Sequence, residues 1–384
     1  AGAPLLPELN ATLGASRQKL LRGSGYSGTD ATSDNDAVDS FSAGLSASYE
    51  VDFWGGRQAA YRSALESLKA SEYDRATVEL TLLSGVANSY LQVLALREQQ
   101  RIARLNLDNA EHVLRLVETR HAAGSATALE VAQQSSLVAS QRKQLPLLEQ
   151  QAHEALITLA TLIGEPVQAL QVAERPFDSL RWPETGAGLP SELLGRRPDI
   201  ANAEAQLAAA QADVQVARAA LFPKLTLSAS LSSGANRAAD TFRNPYYNLG
   251  ANLLAPIFNH GRLRAERDRS LARQEELLET YRKAILTAFA DTERSLNSID
   301  GLDRQLHWQQ QELEQAQRAF DLSDSRYQAG AETLLTVLET QRTLYAAQDA
   351  AVQLRLARLQ ASVGLYKALG GGWQSDRQGL ARKD

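Results

Sequence analysis

Cysteine and methionine are both absent from the 384 residues. Without a thiol there is no thiolate nucleophile, no sulfur-ligated metal and no disulfide, whatever compartment the chain occupies. A basic block is missing too: 40 Lys and Arg stand against 45 Asp and Glu, for a net charge of −5. Phosphate-rich partners draw most of their affinity from clustered cations, so DNA and RNA are set aside. No stretch approaches 18 consecutive apolar residues. A transmembrane helix is thereby excluded, whereas a membrane β-barrel, whose strands only alternate, stays open. The five histidines, His112, His121, His153, His260 and His307, show no HExxH or comparable ligand spacing, so no metal centre is expected. No nucleophile elbow or Ser/His/Asp arrangement appears either, and the chain reads as no enzyme, without cofactor. It starts at Ala1 with neither Met nor a signal-peptide pattern, as a processed or shortened terminus would.

Proline is scarce where it matters. Nine of the eleven lie between Pro146 and Pro256, and interior proline breaks or kinks a helix. Two long tracts, about 57 to 145 and 259 to 368, are therefore free to be helical, and they are rich in Ala, Leu, Gln, Glu and Arg. In the second tract a stripe recurs every seven residues: Leu271, Leu278, Ile285, Thr292, Ile299, Leu306, Leu313, Phe320 and Tyr327. That period predicts a long helix in a left-handed, coiled-coil-like bundle. A run from about 261 to 326 would be roughly 100 Å long at the usual helical rise. Pro146 should kink the returning helix of the first tract.

A second signal has period two. From Phe41 to Phe53 the odd positions are Phe41, Ala43, Leu45, Ala47, Tyr49, Val51 and Phe53, and the even ones are Ser, Gly, Glu or Asp. This is a strand with one apolar and one wet face. Weaker copies run over 10–19, 224–232 and 247–254, and the polar segments 21–40 and 233–246 link the four as two hairpins. Each has about the ten-residue length a tilted strand needs to cross hydrocarbon. The glycine pattern from Gly23 to Gly28 matches a dinucleotide fingerprint in letters only, because it joins two strands rather than a strand and a helix.

The chain also repeats itself. Residues 119–131, from Thr119-Arg120-His121 through Gly124-Ser125 to Val131, align with residues 325–337, from Ser325-Arg326-Tyr327 through Gly330-Ala331 to Val337. Gly56-Arg57 matches Gly261-Arg262, and Leu6-Pro7 matches Phe222-Pro223. Each half reads helix, hairpin, long helix, glycine turn, returning helix. The layout is a first repeat at 1–165 (hairpin about 10–53, helices about 57–120 and 127–165), and an irregular linker at 166–189. A second repeat follows at 190–370 (helix about 191–221, hairpin about 224–257, helices about 259–326 and 332–368), then a polar tail at 371–384. The helix at 191–221 has no counterpart before the first hairpin, so a leading helix is expected ahead of Ala1. The fold class is mainly α with a β part, with long antiparallel helical hairpins and four amphipathic strands. Four strands cannot close a barrel, and open edges in lipid leave backbone groups unpaired, so several copies must share one barrel. From the strands alone a soluble β-sandwich fits equally; helices of such length argue against it.

At this point four motifs become recognisable. Residues 189–200, which include Gly195-Arg196-Arg197-Pro198-Asp199, come first, followed by Ala217-Arg218-Ala219-Ala220-Leu221-Phe222-Pro223. Then come Arg326-Tyr327-Gln328-Ala329-Gly330 and residues 365–373, which end in Gly370-Gly371-Gly372-Trp373. Together they resemble the outer-membrane efflux ducts of the TolC family, closest to the OprM-like branch. The resemblance implies a homotrimer in the outer membrane of a Gram-negative bacterium, in which three subunits close a twelve-stranded barrel above an α-helical periplasmic tunnel. It implies a periplasmic adaptor (membrane fusion) protein, a proton-driven inner-membrane pump and outer-membrane lipid as partners. Branch members commonly carry a lipidated N-terminal Cys; none of these 384 residues can serve. The same duct serves small-solute efflux or, in type I secretion, polypeptides. A structural or adhesive trimeric stalk is the competing reading from another class.

The resemblance also places the functional residues. Gly124, Ser125, Gly330 and Ala331 mark the helix-hairpin tips and the adaptor contact. The closing segment falls on Leu335 to Arg342, where Leu335, Glu339 and Arg342 share one helix face. Three-fold symmetry would gather three Glu339 carboxylates, and a Leu335 ring would narrow the opening. The family's second acid, three residues before the first, is Thr336 here. An ordinary solvated Glu339–Arg342 surface pair is the alternative. Arg326, Tyr327, Glu332 and Thr336 are candidate latch residues, and His121 at a tip could lend pH sensitivity. Phe53 and Trp54 suit a membrane-interface aromatic belt, or packing where strand meets helix.

Overall fold

The computed structural model describes residues 2–19, 38–173, 175–182 and 195–373. Four strands, β1 (Glu8–Gln18), β2 (Val38–Val51), β3 (Lys224–Ala235) and β4 (Pro245–Leu254), form one antiparallel sheet in the order β1-β2-β3-β4. Among the described residues the long helices are α1 (Gly56–Ala122), α2 (Ala128–Ile163), α3 (Pro198–Ala219), α4 (Arg262–Gln328) and α5 (Leu334–Ala368). The chain divides into two compact units, Ala1–Glu72 with Asn202–Arg282 and Tyr73–Ala201 with Lys283–Asp384. Each unit takes segments from both halves of the duplication.

The first unit carries the sheet. Hairpin register pairs Thr12 with Gly44 and Ser228 with Gly250, and the two repeats join where β2 meets β3, with Leu45 opposite Leu231 and Ser48 opposite Ser228. Every such pair is odd with odd or even with even, so the odd-numbered side chains of all four strands, which include most of the apolar ones, share one face. On that face Leu9, Leu13, Leu231, Tyr247, Leu249 and Leu253 are exposed. The strands overrun the expected bounds at their loop ends: residues 38–40 and 233–235, expected as loop, belong to the ladder. At the other end β2 stops at Val51, so Phe53 and Trp54, expected to finish that strand, lie just beyond it. Trp54 stacks on Phe222 at 4.5 Å and donates from Nε1 to the Pro223 carbonyl at 2.8 Å. Asp52 accepts from the Gln58 amide at 2.8 Å, satisfying a free donor at the start of α1. The Gly23–Gly28 pattern lies outside the described residues.

The second unit holds the helical core. Both α1 and α4 have 67 residues, about 100 Å of helix each. Neither they nor any other described helix is apolar enough to cross a membrane. One cluster draws Val113 and Val117 from α1, Leu137 from α2, Ala316, Phe320 and Tyr327 from α4, and Leu334, Val337, Leu338, Leu344 and Tyr345 from α5. Within the heptad stripe Thr292 is buried, and its hydroxyl donates to the Ala288 carbonyl at 3.0 Å, which satisfies the one polar member. Pro146 lies inside α2 without ending it. α3 begins at Pro198, where proline suits a first helical turn; residues 195–196 ahead of it are also helical, and residues 191–194 lie outside the described part. α4 begins at Arg262 rather than near 259, after Gly261 at φ +81°.

The linker is less loose than its prolines imply. Phe177 is buried in a 3-10 turn, and the Arg355 guanidinium donates to the Asp178 and Leu180 carbonyls at 2.7 and 2.8 Å. Trp182 lies under Arg358, 4.9 Å from its ring centroid. Residues 183–189 and the tail from 374 lie outside the described residues.

Two quoted motifs meet at one joint. A Cβ on Gly370 (φ +91°) would lie 2.0 Å from the Arg196 carbonyl oxygen, and one on Gly371 would lie 2.1 Å from a Leu80 methyl. Only glycine tolerates both the conformation and the approach. Beside it Arg197 pairs with Asp199 at 2.6 Å and donates to the Ala368 carbonyl at 3.1 Å.

Candidate functional site

Both helical hairpins turn by the same device. Gly124 and Gly330 adopt φ +75° and +74°. Ser125 N donates to Arg120 O and Gly124 N to His121 O; Ala331 N donates to Arg326 O and Gly330 N to Tyr327 O, all at 2.8–2.9 Å. This is the Schellman pattern, which needs a left-handed residue just past the helix end and satisfies its last carbonyls. Gly124, Ser125, Gly330 and Ala331 are all exposed.

The returning helices start differently. Thr127 caps α2 in a full capping box, its hydroxyl accepting from Glu130 N while the Glu130 carboxylate accepts from Thr127 N at 2.6 Å. In α5 the third helical position is Thr336, and the Thr333 cap reaches its amide only at 3.5 Å. Glu332 fills the gap from outside: its carboxylate accepts from Thr333 N and from the Thr336 hydroxyl, each at 3.1 Å. Those hydrogen bonds, with Arg326 at 3.5 Å, hold its pKa below the ordinary carboxylate value. Arg326 also donates to the Ala331 carbonyl at 3.4 Å, so Arg326, Glu332 and Thr336 bind one turn together.

Tyr327 is buried beside them, its ring 4.4 Å from the Arg120 guanidinium. Burial raises its pKa, and its hydroxyl has no partner among the described residues. Arg120 also donates to the Tyr327 and Gln328 carbonyls at 2.7 and 2.9 Å. A cation from α1 thus closes the C-terminal end of α4, where the helix dipole favours it. Sequence reasoning does not single out Arg120 for this contact; its alignment with Arg326 is the signal that could have found it. His121 is exposed, with Nδ1 2.9 Å from the Ala126 carbonyl.

On α5 the segment from Leu335 divides cleanly. Leu334, Val337, Leu338, Gln341, Leu344 and Tyr345 are buried, while Leu335, Glu339 and Arg342 lie exposed along the opposite side. With Ala132, Gln133 and Ser136 of α2 they line an open groove of about 640 Å³. The surface pair does not form: no ion pair joins Glu339 to Arg342, and neither charged head has a side-chain partner among the described residues. Gln341, one residue from Arg342, is wholly buried with neither amide atom hydrogen-bonded among the described residues.

Comparison with known proteins agrees with this anatomy. Residues 1–165 and 189–371 match the family model for outer membrane efflux proteins. The pyoverdine export outer membrane protein OpmQ of Pseudomonas putida is 61% identical over 376 residues, 98% of this chain and 80% of that protein. The toluene efflux pump outer membrane protein TtgF of the same species is 33% identical over 385 residues, covering 97% of this chain and 76% of its own. Among solved structures, CusC superposes with a TM-score of 0.87 at 30% identity, over 96% of this chain and 84% of that one. The outer-membrane channel OprN superposes with 0.88 at 27% identity, over 97% and 83%. The chain belongs to the outer membrane efflux protein family, channels that reside in the Gram-negative outer membrane and span the periplasm.

Proposed function

We propose that this protein is the passive outer-membrane duct of a tripartite pump, a homotrimer gated at its helix tips and exporting a small solute. The observation that carries the gate is the unpaired row Leu335, Glu339 and Arg342 on the face of α5 turned away from its own core. Charges left without intrachain partners are available to one another across a three-fold axis. Three Glu339 carboxylates brought together form a ring of negative charge that draws cations, while Leu335 side chains form a constriction that sheds water. Arg342, one turn on, supplies the opposite charge. The duct performs no chemistry; the energy comes from a proton-driven inner-membrane pump, and a periplasmic adaptor grips the exposed tips at Gly124, Ser125, Gly330 and Ala331.

The cargo follows from likeness. The relative that is 61% identical is named for pyoverdine export, and the more distant ones for toluene and antibiotic efflux. Small solutes are therefore favoured over polypeptides, and pyoverdine over other solutes. Single-channel recording in planar bilayers tests the duct and its gate together. Replacing Leu335 and Glu339 by Ala should raise conductance several-fold. Unchanged conductance removes the gate from this segment, and an electrically silent protein favours the adhesive stalk.

A further inference from the structure

Where the sheet gives way to helices, the first unit exposes two kinds of side chain in succession. Ile257 and Phe258, 95% and 78% exposed, carry the apolar surface of β4 past the end of that strand. Arginines adjoin them. Arg262 and Arg264 open α4, Arg62 lies in the second turn of α1 and Arg218 in the last turn of α3, and all four are exposed. We propose that this arginine band binds the phosphate groups of anionic phospholipid in the periplasmic leaflet of the outer membrane. The proposal uses the membrane location of the family and is independent of the gate and of the cargo.

Pairing within the subunit leaves these four cations over. Arg57 meets Glu50 at 2.8 Å, Arg267 meets Asp268 at 2.7 Å, Lys69 meets Glu66 at 2.7 Å and Arg269 is paired with Glu266. Asp52 accepts from the Gln58 amide. The carboxylates of residues 50–66 and 255–269 are thereby spent, whereas Arg62, Arg218, Arg262 and Arg264 have no ion pair or side-chain hydrogen bond among the described residues. The duplication shows how the surplus arises. Gly56-Arg57 aligns with Gly261-Arg262, yet the chain just before Arg57 supplies Glu50 and Asp52, while the chain from Leu253 to Gly261 holds no acid. The second repeat has kept the arginine and lacks its carboxylate.

An anionic lipid answers both halves of this surface. Side chains as apolar as Ile257 and Phe258 suit hydrocarbon rather than a wet lumen. Acyl chains that cover them bring the lipid phosphates to the depth at which the helices begin. A guanidinium presents a planar fork of donors that suits phosphate oxygens, and its long stem can lie along apolar surface to reach that level. Phosphatidylethanolamine carries an ammonium beside its phosphate. A surplus of unpaired arginine therefore distinguishes the lipid whose net charge is negative.

The test uses the whole protein, purified in detergent and offered equal amounts of phosphatidylglycerol and phosphatidylethanolamine, with native mass spectrometry counting the lipids that stay bound. The parent should keep phosphatidylglycerol in several-fold preference, less so as salt is raised. Arg262→Gln with Arg264→Gln should weaken that preference, and adding Arg62→Gln with Arg218→Gln should abolish it. Arg269→Gln, at a cation already paired with Glu266, should keep it. Heat denaturation in phosphatidylethanolamine vesicles with and without phosphatidylglycerol gives a second readout, a stabilisation by the anionic lipid that the quadruple variant should lack. A parent that keeps both lipids alike overturns the proposal, and that measurement needs no variant to fold. A folded quadruple variant that keeps phosphatidylglycerol as the parent does overturns it as well. Variants that change the ion selectivity of the reconstituted channel while lipid retention stays the same would place the arginines in the lumen and overturn it. Arginine-dependent binding of inorganic phosphate in lipid-free detergent, without preference between the lipids, would reassign the band to a soluble anion. No lipid readout depends on the helix tips, so failure of the gate is distinguishable from failure of this proposal.

Discussion

Arg120 ties one helical hairpin to the other. Its guanidinium serves two carbonyls at the end of α4 and covers the Tyr327 ring. Hydrogen bonds from a charged donor are worth about 1.5–3 kcal/mol, and of these two only the one to Tyr327 is partly buried. Arg120→Ala should therefore loosen the end of α4 by about 2 kcal/mol, seen as faster amide exchange at its last turn and raised single-channel conductance. Arg120→Lys should restore little, because an ammonium cannot both reach two carbonyls and stack on a ring. Conductance and exchange that match the parent would leave Arg120 a surface residue. The sequence displayed this arginine twice, at 120 and 326, yet the two differ in use: Arg326 stays within its own turn, while Arg120 crosses to another helix. Aligned letters reveal equivalence in the chain; the partner of a long side chain depends on which carbonyls the packing leaves open.

The helix starts show how a duplicated element diverges. α2 keeps a capping box, whereas α5 has Thr336 at its third position and borrows the carboxylate of Glu332. A carboxylate held as an acceptor has a lowered pKa, so its contribution is present above the ordinary carboxylate range and is lost as pH falls through the lowered value. The amides of Thr333 and Thr336, corrected for intrinsic exchange, should stay protected near neutral pH and lose protection on strong acidification. In Glu332→Gln that acid-dependent step should vanish. An identical acid response in the variant would assign the titration to another group. The motif S/T-x-x-E is legible in any sequence, so the α2 cap could be read directly. The α5 cap could not, because Glu332 precedes its helix and acts only through the path of the turn. The strands run past their expected ends at residues 38–40 and 233–235 for a related reason: the segments are polar enough to predict loop, while a partner strand supplies the ladder that keeps them extended.

At the scale of the whole molecule, function depends on what copies of the chain do together. Four strands leave two edges, and lipid tolerates none. Inactivating the gene in its own host should lower pyoverdine in the medium and raise the amount retained within the cells, with complementation restoring both. Unaltered pyoverdine release alongside increased sensitivity to solvents or antibiotics would move the cargo to the class named for the more distant relatives. The sequence carried most of this scale: the duplication, the seven-residue stripe, the alternating strands and the absence of a membrane-spanning helix can all be counted along the chain. Local periodicity records which face of an element must be buried, and that is a property of neighbours in sequence.

Other features had no such local record. The joint of Gly370 with Arg196, the linker pinned by Arg355 and Arg358, Trp54 seated on Phe222 and the clamp of Arg120 each unite residues far apart in the chain. The elements, their order and their apolar faces are set along the chain, because φ/ψ preference and side-chain period act within a few residues. Packing settles which charges are spent inside the subunit, and it leaves Glu339 and Arg342 without a side-chain partner among the described residues. A charge finds its partner through space, and that separation is set by the packing of whole helices.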